Sequence, residues 1–261
     1  MLNYTIHKNE NSTQWVTFIH GAGGSSSIWY KQLRVFQINF NVLLIDLRGH
    51  GNSKNINQSD FKKKYNFTLL SNDIVEVLHY LKIEKSHFVG ISLGTILIRQ
   101  LAENHTSLLQ SIILGGAILK MNFRSQILMK LGTTFKYLLP YMVLYKLFAF
   151  VILPRKSHKQ SRTLFINEAK KLDQKEFIRW FKLTSGVNPI LKKFRNIQLR
   201  IPTLYIMGEE DYMFLPTIKK MVLQNSNFSK LIIIPECGHI VNVQEASIFN
   251  NEAIQFIKEH L

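Results

Sequence analysis

The five residues Gly90-Ile91-Ser92-Leu93-Gly94, written GISLG, stand between an apolar run, SHFV, and a helical pattern, TILIRQLAEN. A serine between two glycines at such a junction is typical of a turn so sharp that larger neighbouring side chains would collide. A turn of this kind lifts the serine hydroxyl clear of the sheet and places it at the N-terminus of a helix. An ordinary strand-to-helix turn fits the same five letters, so the rest of the chain has to decide.

Short apolar runs alternate with amphipathic segments over the first and the last third of the chain. The runs WVTFIH at residues 15–20 and NVLLID at residues 41–46 are typical of strands buried on both faces of a parallel sheet. The segment at residues 68–83, TLLSNDIVEVLHYLKI, carries its apolar residues at helical spacing. This alternation predicts an α/β fold with a doubly wound, mostly parallel sheet.

The alternation stops between the two halves. Residues 119–196 are helical in pattern, basic, and interrupted by Pro140, Pro154 and Pro189. We expect residues 1–118 and 197–261 to form the α/β core. The intervening 119–196 are expected to form an inserted helical cap over the carboxyl ends of the strands, where open α/β sheets bind ligands.

The chain carries a formal net charge of +16, and the excess is concentrated in one segment. Residues 104–167 contain no Asp or Glu and nine Lys or Arg. Helix-turn-helix, zinc-finger and RNA-binding motifs are absent from the sequence, so no nucleic-acid partner is expected. A solvated basic face is the main interpretation, and weak contact with an anionic membrane surface is the alternative. The oligomeric state is not predicted.

The apolar run YLLPYMVLYKLFAFVIL, residues 137–153, resembles a membrane span but is short of the ~20 residues that a span needs. It also contains Pro140 and Lys146, so it predicts a buried or groove-lining helix of the cap. The single cysteine, Cys237, excludes an internal disulfide and a Cys-rich metal site. Because the N-terminus lacks a signal-peptide pattern, we expect a cytoplasmic protein.

Partners for Ser92 follow two later strands. A serine hydroxyl needs a neighbouring base to become nucleophilic, and the base needs a group that orients it. Asp211 lies just after the apolar run TLYIM, and His239 lies just after KLIII. Since the carboxyl ends of parallel strands share one edge of the sheet, these two side chains are expected to meet Ser92. Glu209 and Glu210 occupy the same loop and remain alternatives for the acid.

Two backbone N–H groups are needed to stabilise an oxyanion beside this serine. Leu93, the residue after Ser92, is expected to supply one. The loop His20-Gly21-Ala22-Gly23-Gly24 is expected to supply the other through Ala22, with Gly23 as the alternative. This loop lacks the motifs of a phosphate-binding loop. No cofactor and no metal are expected.

The segments HGAGG, DLRGHGNS, GISLG, GEED and CGH, in this order and with these separations, resemble the α/β-hydrolase fold family, in its capped serine-hydrolase branch. The resemblance implies Ser92 as nucleophile, His239 as general base and acid, and Asp211 as the orienting carboxylate. It favours Asp211 over the two glutamates because of its interval from the glycine of GEED. The implied activity is hydrolysis of small-molecule carboxylic esters with a small to medium hydrophobic acyl or alcohol group, through an acyl-enzyme intermediate.

The same three residues also support other reactions. An acyltransferase, a carbon–carbon bond hydrolase and a perhydrolase use such a site, and some proteins with this fold are ligand receptors or signalling proteins with residual hydrolysis. These alternatives remain open at the level of the sequence.

Several other residues have structural interpretations. Asp46 and Arg48 are expected to be a structural pair at a strand end, and His20 and His50 to hold tight glycine turns. Cys237 is expected to be a small buried residue. Six apolar residues of the cap are candidates for lining an acyl pocket or for packing the cap on the core: Met121, Phe123, Met129, Phe135, Phe148 and Phe150.

Overall fold

A computed structural model describes residues 1–54, 64–135 and 138–261. The described residues form one seven-stranded sheet in the order β1-β3-β2-β4-β5-β6-β7. The strands are β1 (Tyr4–His7), β2 (Trp15–Ile19), β3 (Asn41–Ile45), β4 (Ser86–Ile91), β5 (Leu109–Gly115), β6 (Thr203–Gly208) and β7 (Ser229–Ile234).

The strands from β2 to β7 are parallel, and β1 pairs with β3 in the antiparallel sense at one edge. The register places Ile19 beside Gly90 and Ile91 beside Gly115, so β2, β4 and β5 end at one level. The doubly wound, mostly parallel sheet predicted from the sequence is confirmed. The residues that follow these strands therefore share one edge of the sheet.

Helices cover both faces of the sheet. They are α1 (Tyr30–Gln37), α2 (Phe67–Tyr80), α3 (Leu93–Asn104), α4 (Phe123–Phe135), α5 (Tyr141–Ile152), α6 (Lys159–Ala169), α7 (Gln174–Ser185), α8 (Asn188–Asn196), α9 (Leu215–Gln224), α10 (Val241–Gln244) and α11 (Ala246–Lys258). On one face, α2, α3 and α9 contribute Ile74, Leu97 and Ile218 to a buried apolar layer. On the other face, α1 and α11 contribute Phe36 and Phe249 to a second layer. Burial on both faces explains why the inner strands are mostly apolar.

The helices α4 to α8 lie between β5 and β6, in the segment where the sequence loses its alternation. They contain an apolar cluster of their own, which includes Tyr145, Phe177 and Phe181. The last of them, α8, instead places Leu191 and Phe194 in the layer formed by α2 and α3. This segment is therefore tied to the sheet at its C-terminal end.

Within the apolar run at residues 137–153, residues 141–152 form the twelve-residue helix α5. The first residue of the run, Tyr137, lies outside the described residues. Within the described ranges, helices long and apolar enough to cross a bilayer are absent. Leu144 and Ala149 of α5 are buried, whereas Val143 and Phe150 are about half exposed. Only one side of this helix is therefore packed in the protein.

Candidate active site

Ser92 stands at the turn between β4 and α3, and its backbone is strained. Its φ of +54° lies in the left-handed region that residues with a side chain rarely adopt. Two residues later, a β-carbon at Gly94 would collide with the carbonyl oxygen of Ile19 on the neighbouring strand. The glycine therefore allows α3 to start close against the sheet, and the strained turn exposes the Ser92 hydroxyl at the edge of the strands.

The structure brings Ser92, His239 and Asp211 together. The Nε2 atom of His239 lies 2.9 Å from Ser92 Oγ, and its Nδ1 atom lies 2.7 Å from Asp211 Oδ2. A carboxylate oxygen accepts, so Nδ1–H donates to Asp211 and Nε2 accepts from the serine hydroxyl. Both the imidazole and the carboxylate are almost fully buried. This arrangement can draw the proton from the hydroxyl as the serine oxygen attacks a carbonyl carbon.

The two glutamates beside Asp211 are engaged elsewhere. Glu210 is buried and contacts His158 and Arg155 of the helical segment, with 2.6 Å between its Oε2 atom and Nε2 of His158. Glu209 is exposed, and its carboxylate accepts from the backbone N–H of Glu236. In the described part of the chain, the imidazole of His239 is hydrogen-bonded to Ser92 and Asp211 instead.

The glycine loop after β2 places Ala22 and Gly23 at the cavity beside Ser92. The N–H of Gly23 donates to Nε2 of His50 at 2.9 Å, so it is not available to a ligand. The N–H groups of Ala22 and Leu93 have no acceptor within the described residues, and both residues line the cavity at Ser92. Two such N–H groups at one cavity can donate to an oxyanion.

The carbonyl oxygen of Ala22, in the same loop, accepts a hydrogen bond. The hydroxyl of Tyr145, on α5, donates to the carbonyl oxygen of Ala22 at 2.8 Å. Burial, and then the charge of Glu168, raises the pKa of Tyr145 well above its ordinary value, so the phenol keeps its proton. Gly23 has a φ of +68°, and a β-carbon there would collide with the same phenol. The peptide between Ala22 and Gly23 is therefore fixed at both its C=O and its N–H.

The histidines at positions 20 and 50 bind backbone groups. His50 donates from Nδ1 to the carbonyl of Arg48 and accepts at Nε2, while His20 donates to Gly21 and accepts from the N–H of Leu47. Burial lowers the pKa of His50 to about 3 and also lowers the pKa of His20. Both imidazoles are therefore neutral and support the turns that carry them.

Asp46 and Arg48 do not pair with each other. The carboxylate of Asp46 accepts from the backbone N–H groups of Ser26 and Asn52, whereas Arg48 forms its ion pair with Asp73 on α2. The prediction of a structural pair was therefore wrong for Arg48, because its long side chain reaches past the strand end to the neighbouring helix. Cys237 is fully buried, and burial raises the pKa of its thiol to about 12.

An apolar cavity of about 150 Å³ opens at Ser92, Leu93 and His239, between the sheet edge and the helical segment. Its polar side chains away from these residues are satisfied within the protein. Ser125 donates to Asn122, Thr184 to the carbonyl of Trp180, and Tyr145 to Ala22. The cavity therefore offers an apolar surface to whatever part of a ligand extends beyond Ser92.

The six apolar candidates of the helical segment divide into two sets. Met121, Met129 and Phe148 line the cavity. Phe123, Phe135 and Phe150 lie outside the cavity lining and are 77%, 38% and 54% exposed, and the guanidinium of Arg162 lies 4.4 Å from the ring centroid of Phe150. The expectation that all six line a pocket or pack against the core was wrong for these three phenylalanines.

Tyr145 was missed by the sequence analysis. It lies inside the apolar run of α5, where a tyrosine looks like one more packing residue, and its partner Ala22 is 123 positions away. The alternation of apolar and polar residues carries no signal for a contact at that separation.

A family model described as the α/β-hydrolase fold matches residues 14–246. The chain belongs to the α/β-hydrolase fold family. A curated member of similar length, the pimeloyl-[acyl-carrier protein] methyl ester esterase of Wigglesworthia glossinidia brevipalpis, is 28% identical over 94% of this chain and 93% of its own.

Solved structures of the family share the fold across the whole chain. The enol-lactonase from Burkholderia xenovorans superimposes with a TM-score of 0.79 at 19% identity, over 98% of this chain and 96% of that one. MenH from S. aureus superimposes with a TM-score of 0.81 at 21% identity, over 100% and 99% of the two chains. Family membership and the names of the relatives indicate that this chain is a hydrolase. At 19% and 21% identity, the two solved structures show a shared fold only.

Proposed function

We propose that this α/β hydrolase is a serine esterase that cleaves carboxylic esters with a small to medium hydrophobic acyl or alcohol group. The observation that carries the proposal is the chain of hydrogen bonds from Ser92 to His239 to Asp211 at the mouth of an apolar cavity. A serine that is activated in this way and faces an apolar cavity suits an ester better than a charged substrate.

In the acylation step, Ser92 Oγ forms a bond to the ester carbonyl carbon while Nε2 of His239 takes the hydroxyl proton. The imidazolium that results is stabilised by Asp211, which lies 2.7 Å from Nδ1. The C–O bond to the alcohol then breaks, and the alcohol leaves with the proton from Nε2. An acyl group remains on Ser92.

In the deacylation step, water loses a proton to Nε2 of His239 and attacks the acyl carbon. The bond between that carbon and Ser92 Oγ then breaks, Oγ takes the proton from Nε2, and the acid leaves. Both tetrahedral intermediates carry a negative oxygen. We assign its two donors to the N–H groups of Ala22 and Leu93, because the N–H of Gly23 is bound to His50.

The division of the chain supports the same proposal. Residues 1–118 and 197–261 act as the α/β core that carries Ser92, Asp211 and His239, and residues 119–196 act as a cap. The cap supplies Leu128, Met129 and Phe148 to the cavity, so it sets the size of the group that enters. The relative from Wigglesworthia glossinidia brevipalpis is named as a methyl ester esterase, and that name describes cleavage of a bond between an acyl carbon and oxygen.

The test is labelling with a fluorophosphonate, followed by mapping of the labelled peptide and hydrolysis of p-nitrophenyl esters of increasing chain length. We expect the label on Ser92, and Ser92→Ala to lower the rate by at least about 10³-fold. Ser125→Ala is the matched control, since Ser125 lines the same cavity with its hydroxyl bound to Asn122. Label on another residue, or full activity of Ser92→Ala, would refute the proposal.

A further inference from the structure

One side of α4 carries an apolar stripe that stays partly exposed in the described protein. Phe123, Ile127, Leu131 and Phe135 recur at every fourth position, and their exposed fractions are 77%, 42%, 44% and 38%. Residues four apart lie on the same side of a helix. The stripe therefore runs along the whole length of α4.

The next helix carries a second row of exposed apolar residues. Val143, Leu147 and Phe150 on α5 follow at spacings of four and three, and each is about half exposed. Leu138 and Leu139, between the two helices, are exposed as well. We call this set of exposed apolar residues on α4, on α5 and at positions 138–139 the α4–α5 face.

The opposite sides of α4 and α5 face the cavity at Ser92. Leu128 and Met129 of α4 and Tyr145 and Phe148 of α5 line the cavity at Ser92. A helix at a protein surface needs one apolar side for packing, and its other side is ordinarily polar. The α4–α5 face holds nine of the nineteen large exposed apolar side chains in the described residues, which marks it as an interaction surface.

The positive charge of the residues around the α4–α5 face indicates the kind of partner that it binds. The chain has no acidic residue from position 104 to position 167, and the nine basic residues of this stretch include the exposed Lys130 on α4 and Lys146 on α5. A second copy of this chain would bring two such positive surfaces together, which repel each other. An anionic bilayer supplies the opposite charge on its headgroups. Its interfacial region, between headgroups and acyl chains, accepts apolar side chains.

We propose that the α4–α5 face binds the surface of an anionic lipid bilayer. Phe123, Leu147 and their neighbours enter the region between headgroups and acyl chains, and Lys130 and Lys146 pair with anionic headgroups. The protein lies on the membrane without crossing it, in agreement with the short length of α5. This surface goes beyond the ester hydrolysis proposed above and does not depend on it.

Sedimentation with lipid vesicles tests the proposal without any measurement of activity. Vesicles of phosphatidylcholine with phosphatidylglycerol are compared with vesicles of phosphatidylcholine alone, at low and at physiological salt. We expect at least about tenfold stronger binding to the anionic vesicles, and weaker binding as salt is added.

Two double variants remove the two parts of the surface. Phe123→Ser/Leu147→Ser removes apolar side chains, and Lys130→Glu/Lys146→Glu reverses charges; each is expected to lower vesicle binding about tenfold or more. Because serine and glutamate replace exposed residues, both variants should fold, which a thermal melt checks. If one of them fails to fold, the other decides.

Matched control variants change the same chemistry elsewhere on the surface. Ile38→Ser/Leu223→Ser removes side chains that are 72% and 81% exposed on other parts of the protein. Lys219→Glu/Lys220→Glu changes two exposed lysines of α9 and alters the net charge equally. Both controls should bind anionic vesicles like the parent protein.

Three results would overturn the proposal. The first is no vesicle binding at low salt. The second is equal binding by the face variants and their controls, or by the two kinds of vesicle. The third is a dimer in solution that Phe123→Ser/Leu147→Ser dissociates, since the face would then be occupied by a second copy of the chain.

Discussion

The hydroxyl of Tyr145 donates a 2.8 Å hydrogen bond to the carbonyl oxygen of Ala22, and this contact joins α5 to the loop beside Ser92. The same peptide unit is held on its other side by His50, which accepts from the N–H of Gly23. The Ala22 N–H belongs to the preceding peptide, so these two bonds restrain it through the backbone of Ala22 and not by direct contact. Donors that need no reorientation during the reaction are those that stabilise a developing charge best.

Removing the phenol hydroxyl should therefore slow the reaction more than it weakens binding. We expect Tyr145→Phe to lower kcat about 5- to 30-fold, with a smaller change in KM, because the loop then turns more freely while the cavity keeps its shape. Steady-state kinetics on a short-chain p-nitrophenyl ester measure both quantities.

Tyr141→Phe is the matched control for Tyr145→Phe. The Tyr141 hydroxyl donates to the carbonyl of Leu172, so this variant also loses one phenol hydrogen bond of the cap but none at the Ala22 loop. Its kcat should stay near that of the parent protein. Equal loss of kcat in the two variants would mean that Tyr145 acts on cap stability alone.

Replacement of a candidate acid by its isosteric amide shows whether that acid orients His239. Asp211→Asn should lower kcat by on the order of 10³- to 10⁴-fold, because the amide no longer stabilises the imidazolium. Glu209→Gln makes the same chemical change on an exposed neighbour and should leave kcat nearly unchanged. A large loss in Glu209→Gln together with an active Asp211→Asn would reverse the assignment.

The buried contact between Glu210 and His158 should act on stability. Glu210 lies beside Asp211, and its carboxylate ties that loop to the start of α6 through His158, whose side chain is fully buried. Glu210→Gln is expected to lower the free energy of unfolding by about 1–3 kcal/mol, since a hydrogen bond between buried groups is weakened. Denaturant titration measures the change, and an unchanged midpoint would show that the contact does not hold the cap.

Stability should fall in mild acid because buried histidines remain neutral. Burial lowers the pKa of His87 to about 4, whereas the unfolded chain takes up that proton near pH 6.5. Above pH 6.5 the imidazole is neutral in both states. Between pH 6.5 and 4 only the unfolded state binds the proton, so the free energy of unfolding decreases as the pH falls.

His87→Gln isolates this contribution. The amide does not titrate and can keep the hydrogen bond to Ser111, so the variant should gain about 2 kcal/mol relative to the parent between pH 7 and 4.5. Denaturant titrations at the two pH values measure the gain, with the exposed His79→Gln as composition-matched control. A parallel pH dependence of parent and His87→Gln would contradict the prediction.

The lining of the cavity predicts discrimination against a charged acyl group. Apart from His239, the lining residues of the described structure carry no ionisable side chain other than the phenol of Tyr145, which keeps its proton. A terminal carboxylate would lose its water in the cavity without gaining a cation. We expect kcat/KM for the p-nitrophenyl monoester of adipic acid to be about 100-fold or more below that for p-nitrophenyl hexanoate. Equal values would show that the acyl group does not enter this cavity.

Much of the core follows from local patterns. The apolar runs of β2, β3 and β4 predict strands because a strand buried on both faces has no polar side to display, and the loops after β6 and β7 place Asp211 and His239 on the edge that carries Ser92. The cap is different. Its α5 is apolar nearly all round, so the sequence does not indicate that Tyr145 faces the cavity while Phe150 faces water.

Long-range polar contacts also escape the patterns. Arg48 was expected to pair near its own strand end, yet its partner Asp73 lies on α2. The sequence left Ala22 and Gly23 as alternatives for one N–H donor. The hydrogen bond from the Gly23 N–H to His50, which supports Ala22, forms only once the two loops have folded against each other. Such contacts are set by tertiary packing, which sequence spacing does not encode.

The hydrogen bond from Tyr145 to Ala22 ties residues 119–196 to the loop beside Ser92, so this segment cannot be exchanged without effect on that loop. A chimaera in which residues 119–196 are exchanged for the corresponding segment of another family member would lose this donor unless the graft brings a phenol to the same place. Altering substrate range by swapping whole caps would then disturb turnover as well. Single exchanges among the apolar lining residues are the safer way to redesign this enzyme.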